Sequence, residues 1–198
     1  MNRFHNPHLS SSAFRHSFSL LTSHISLLTF LFVLPAFSQQ NWSRTYGGRW
    51  DDEAYSVRQT FDGGYVVAGW RVSFILDTLP DVYLIKINAM GDTLWTKDYQ
   101  IRGTDYGYAV WQTSDSSFII TGCKDYTGLG KGDGYLIKTN SSGDTLWTRR
   151  RGGANYDWGY SAQQTSDGGY IIAGYTNSFG AGRYDFYVIK IDAQGVRG

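Results

Sequence analysis

The chain has 198 residues, 18 of them basic and 17 acidic, with a net charge of +1 and 41% hydrophobic residues, a length that allows a single domain. All four histidines fall within the first 38 residues, and the one cysteine is Cys123. For residues 39–198 this excludes Ser-His-Asp and Cys-His catalysis, haem-His ligation, His-bound zinc or copper, and an internal disulfide.

Residues 1–38 hold Arg3, Arg15 and no acidic residue, then an apolar run over 25–34 that Pro35 ends. Ala36-Phe37-Ser38 places small residues three and one positions before Gln39, the pattern of a signal peptide cleaved after Ser38. A membrane anchor is the alternative. It needs about 20 apolar residues, and Thr22, Ser23, His24 and Ser26 interrupt the stretch, so no transmembrane segment is expected after signal removal. Without Arg3 and Arg15, 16 basic residues face 17 acidic ones, a net charge of −1 over 39–198. No nucleic-acid partner is implied, because such binders carry a basic patch. The one basic cluster, Arg149-Arg150-Arg151, reads as the exposed end of a strand.

The rest of the chain repeats. Trp42, Trp95 and Trp147 stand 53 and 52 residues apart; Asp62, Asp115 and Asp167 follow them by 20, and Gly69, Gly122 and Gly174 by 27. Asp81, Asp133 and Asp185 each open a D-x-Y-[LV]-I-K segment, with Gly91, Gly143 and Gly195 ten residues on. The repeats span 42–94, 95–146 and 147–198. Such a period is the first thing to look for in a sequence.

Within each repeat the pattern predicts four short strands. The first covers 55–59, 108–112 and 160–164; the second covers 65–69, 118–122 and 170–174. Asp62-Gly63-Gly64 and Asp167-Gly168-Gly169 join these two, since glycine reaches the positive φ of a tight hairpin, while Asp115-Ser116-Ser117 makes a weaker turn. The third strand covers 82–88, 134–140 and 186–192, and the fourth 93–99 and 145–151. No window shows helical periodicity.

The predicted class is all-β: tandem four-stranded antiparallel blades of a β-propeller, with a β-solenoid as the alternative. Propellers have about four to eight blades, so three make an incomplete array. The last repeat stops before a fourth strand, and 42–46 reads as an orphan fourth strand with no blade of its own. A fragment of a longer array is the expectation; two copies forming one ring is the other reading.

At these residues the chain resembles a family of secreted bacterial propeller-like repeats, common in Bacteroidetes, that read W-x-x-x-[YF]-G-G, Q-T-x-D-G-G-Y-I-I-A-G, D-x-Y-[LV]-I-K and G-D-T-L-W. The likeness covers 42–195 and is tightest over 147–153, 164–174 and 185–190; the middle repeat departs at Gln100-Ile101-Arg102 and at Ser116-Ser117. The resemblance implies secretion and a propeller, often with a C-terminal sorting domain for type IX secretion, but no catalytic residues. A more distant likeness is to quinoprotein propellers, with Gly91 and Gly143 four residues before Trp95 and Trp147. Asn88 and Asn140 lie one residue closer than that motif has its polar position, so the tryptophans read as packing between blades and no cofactor follows.

Three sets of candidate residues remain. Asp52, Asp105 and Asp157 each stand three residues before a tyrosine. Lining a channel they could hold calcium through oxygen ligands; the alternative is that each accepts backbone N–H bonds in its turn. Asp81, Asp133 and Asp185 lie five residues before Lys86, Lys138 and Lys190, so each pair points to opposite faces of its strand, a structural carboxylate with an exposed lysine. The loops that vary most, 70–80, 123–132 and 175–184, carry Trp70, Phe74, Tyr126, Phe179 and Tyr184, aromatics able to stack on a sugar or a protein partner. The expected function is a non-catalytic secreted or cell-surface scaffold for protein or glycan interaction. The alternative is part of an extracellular carbohydrate-active enzyme using a carboxylate pair, which needs no histidine.

Overall fold

The computed structural model describes residues 41–72, 79–99, 103–125 and 132–196, all within the unit Gln40–Gly198. Among them are eleven strands and no helix. β1 (Asp52–Gln59), β2 (Tyr65–Val72), β3 (Pro80–Ile87) and β4 (Thr93–Tyr99) form the first sheet. β5 (Thr104–Gln112), β6 (Phe118–Asp125), β7 (Asp133–Thr139) and β8 (Thr145–Arg151) form the second, and β9 (Asp157–Gln164), β10 (Tyr170–Thr176) and β11 (Asp185–Ile191) the third. Neighbouring strands pair antiparallel and in chain order. This is a propeller-like array with three blades among the described residues; the antiparallel pairing rules out the parallel coils of a solenoid.

Turn chemistry sets the hairpins. Gly63 and Gly168 sit at φ 81° and 82°, and Ser116 holds the same place at φ 64°, a left-handed conformation that costs a non-glycine residue about 1–2 kcal/mol. In each of these turns an aspartate oxygen accepts the N–H two residues on: Gly64 to Asp62 at 3.0 Å, Ser117 to Asp115 at 3.1 Å and Gly169 to Asp167 at 3.1 Å. The lysines expected at the surface close on these same turns. Lys86 Nζ lies 2.9 Å from Asp62 and Lys190 Nζ 2.7 Å from Asp167, and Lys138 Nζ donates to Thr113 Oγ1 at 2.6 Å. Lys86 and Lys138 are buried because the following sheet covers them; Lys190, over which no sheet packs among the described residues, is exposed.

Alternation along the strands gives each sheet two apolar faces. Val66, Ala68, Val82 and Leu84 of the first sheet meet Val110, Phe118, Ile120, Tyr135 and Ile137 of the second. Ile119 and Leu136, on the other face of the second sheet, meet Tyr170, Ile172, Ile189 and Ile191 of the third. Fully burying such a side chain contributes about 1.5–3 kcal/mol.

A recurring clasp joins consecutive sheets. A Cβ on Gly143 would lie 2.8 Å from the Trp95 ring, and one on Gly195 3.0 Å from the Trp147 ring. Four residues after each tryptophan a side chain donates to the carbonyl of that same glycine: Tyr99 to Gly143 at 2.9 Å and Arg151 to Gly195 at 2.5 Å. Two residues after it, Lys97 pairs with Asp144 at 2.6 Å and Arg149 donates to the Gln194 carbonyl at 2.7 Å. Arg150 pairs with Asp133. The arginine triplet is therefore bound to protein groups rather than simply exposed.

Residues 42–46 make the same clasp on the first sheet, with Tyr46 Oη donating to the Gly91 carbonyl at 2.7 Å and Trp42 Nε1 to Ala89 at 3.0 Å. They form no strand and pair with none among the described residues. The first strands also begin earlier than expected. Asp52, Asp105 and Asp157 lie inside them.

Candidate interaction surface

Each first strand contains a bulge at one repeated position. Pairing with the second strand skips Tyr55 in β1, Tyr108 in β5 and Tyr160 in β9. The cause stands opposite, at Gly69, Gly122 and Gly174. A Cβ there would lie 1.9 Å from the Glu53 carbonyl oxygen and 1.7 Å from those of Tyr106 and Trp158, so only glycine lets the bulged backbone approach this closely.

The bulged tyrosines meet one another across the sheets. Tyr55 and Tyr108 ring centroids are 5.3 Å apart, edge to face, and those of Tyr108 and Tyr160 are 5.0 Å apart. Trp70 packs on Tyr106 at 5.8 Å, Tyr108 stacks on Trp158 at 5.8 Å, Trp158 meets Tyr175 at 5.5 Å, and Tyr175 meets Tyr184 at 5.2 Å. The result is one aromatic belt through all three sheets. Tyr108 lies deep in it, its hydroxyl pKa pushed up by burial, whereas Tyr55, Tyr160 and Tyr184 are exposed.

Tyr108 Oη is 3.7 Å from Cys123 Sγ. That thiol is buried, and burial raises its pKa to about 12, so Cys123 is held as the unreactive thiol rather than the thiolate that nucleophilic chemistry requires.

Two grooves flank the array. One, of about 650 Å³, lies beside the first sheet and is lined by Tyr46, Trp50, Asp51, Asp52, Glu53 and Trp70. The other, of about 470 Å³, lies on the third sheet between Tyr160, Tyr175, Tyr184 and Phe186.

Of the five loop aromatics singled out in the sequence, Trp70 and Tyr184 belong to the belt. Phe179 does not; it packs on Tyr187 at 5.6 Å. Phe74 and Tyr126 lie outside the described residues. The recurring aspartates do not gather. Asp52 accepts the Gly48 N–H at 2.8 Å and Asp157 that of Gly153 at 2.7 Å, with Ser178 and Thr176 hydroxyls also donating to Asp157, and Asp105 forms a fully buried ion pair with Lys124 at 2.7 Å. Among the described residues no three acidic, histidine or cysteine side chains are grouped to hold a metal. Each carboxylate serves its own blade, as Asp185 does in accepting the Gly182 N–H at 3.0 Å.

Compared with protein-family models and with curated proteins, the chain matches none. Its surface chemistry rests on the residues themselves.

Sequence reasoning passed over Tyr55, Tyr106, Tyr108, Trp158, Tyr160 and Tyr175. A signal was present, since Tyr55, Tyr108 and Tyr160 each precede the close-approach glycine by 14 residues. An aromatic and a glycine locked at one spacing in every repeat mark a bulge whose side chains can meet from blade to blade.

Proposed function

We propose that the protein is a secreted or cell-surface, non-catalytic scaffold of propeller type that binds a glycan or protein partner through its aromatic belt. The observation that carries this reading is the continuity of the belt, from Trp70 through Tyr108 and Trp158 to Tyr184, with exposed rings at Tyr55, Tyr160 and Tyr184. Aromatic rings offer large, rigid, amphipathic contact area and a hydroxyl or indole handle, which suits sugar faces and protein anchors alike.

The leader over residues 1–38 supports export, and the inert Cys123 together with the lack of histidine from residue 39 on supports a binding role over a nucleophilic one. A screen of the purified protein against immobilised glycans and extracellular matrix proteins tests the proposal. Binding that falls at least tenfold in Tyr160→Ala, with the fold retained by circular dichroism, is the expected result. Release of sugar from a bound oligosaccharide would replace the scaffold with the carboxylate enzyme.

A further inference from the structure

The two outer faces of the array are the two halves of a junction that the chain already makes twice. On the third sheet Ile171, Phe186 and Val188 are 40%, 97% and 62% exposed, while the residues in register with them on the first sheet, Val66, Val82 and Leu84, are 0–1% exposed beneath the second sheet. At the opposite end Val57 is 58% exposed, while its equivalent Val110 is 2% exposed against the first sheet. The two grooves described above lie at these same two ends. In addition, β11 has no fourth-strand partner among the described residues, while residues 42–46 hold a fourth strand's clasp without a ladder.

From this we infer that the outer face of the third sheet docks the first sheet of a second copy of the chain, head to tail, and that two copies close a ring of six blades. Six lies within the range that propellers adopt, and closure leaves neither edge strand open. The register follows from the internal sheets. Val82 and Leu84 of β3 pair with Tyr99 and Lys97 of β4, so Phe186 and Val188 of one copy take Tyr46 and Arg44 of the other. The new junction has bulkier side chains than either internal one: Phe186 stands where Val82 and Gly134 stand, and Ala54 where Gly107 and Gly159 do.

The test is the solution mass of the purified protein by light scattering and sedimentation across the micromolar range. Twice the monomer mass is expected, with Phe186→Asp and Val57→Asp each reducing it to one copy. Both positions are exposed, so the variants should keep the wild-type circular dichroism and report association rather than folding. Mixing the two variants restores one unaltered junction per pair and should recover dimer. A monomeric wild type, as when further blades of a longer chain fill the face, would overturn the inference. So would assemblies of three or more copies, or dimers that survive Val57→Asp, which would mean a symmetric contact through the third sheet alone.

Discussion

Tyr99 Oη donates to the Gly143 carbonyl at 2.9 Å across 44 residues, tying the fourth strand of one blade to a turn of the next. Both groups are out of water. Tyr99→Phe keeps the ring and leaves that carbonyl without its donor, so a loss of roughly 1–3 kcal/mol is expected in urea unfolding. Tyr46→Phe removes the same bond where it is only partly buried, and its loss should be the smaller of the two.

Glycine substitutions should separate two roles. In Gly122→Ala the new Cβ would lie 1.7 Å from the Tyr106 carbonyl oxygen, backbone that cannot move without undoing the bulge, so no folded protein is expected by circular dichroism. Gly63→Ala meets nothing within 4 Å and bears only its φ of 81°, costing about 1–2 kcal/mol and leaving the fold intact.

The Lys124 and Asp105 pair is fully buried at 2.7 Å. Burial lowers the Lys124 pKa, and the Asp105 carboxylate opposes that shift. Asp105→Ala removes one partner of a fully buried ion pair, a change that costs roughly 3–5 kcal/mol. Chemical denaturation should show that loss, and Asp52→Ala, at the equivalent but more open position, should lose less.

Acid should act on the hairpin turns. Hydrogen bonds from Thr60 and Lys86 lower the Asp62 pKa to about 2; at Asp115 burial pushes the other way, but the bonds from Thr113 and Ser117 prevail and hold it at about 2. An unfolded aspartate titrates near 3.9. Between those values the unfolded chain binds more protons than the folded one, so stability present above about pH 4 is lost as pH falls toward 2. Melting temperatures taken from pH 5 down to pH 2 should decline over that interval, with a shallower slope in Asp62→Asn combined with Asp115→Asn.

Cys123 should resist alkylation. With its thiol pKa raised to about 12 by burial, iodoacetamide at pH 8 is expected to leave the native protein unmodified by mass spectrometry and to add one adduct in guanidinium.

Much of the fold is legible in the sequence because its repeats state the same turn three times. The fourth strands over 93–99 and 145–151 coincide with β4 and β8, since Gly91 and Gly143 fix one boundary of each. Strand starts were less legible. β1 and β9 begin three residues early, and β5 four, because the bulge at Tyr55, Tyr108 and Tyr160 breaks the alternation from which a strand is read. The belt was hidden for the same reason: a bulged residue belongs to neither face by parity. The burial of Lys86 and Lys138 depends on the following sheet, as where Lys138 lies over the Tyr170 ring 32 residues on, which no local pattern carries.

The clasp also fixes an order of assembly. In each case the gripping side chains, Trp42 with Tyr46, Trp95 with Tyr99 and Trp147 with Arg151, precede in the chain the turn they close on, at Gly91, Gly143 and Gly195. Domains form from the N-terminus as synthesis proceeds. A growing chain therefore always has the jaw in place before the piece it holds, and the second and third blades each close on a strand that the sheet before them has already supplied.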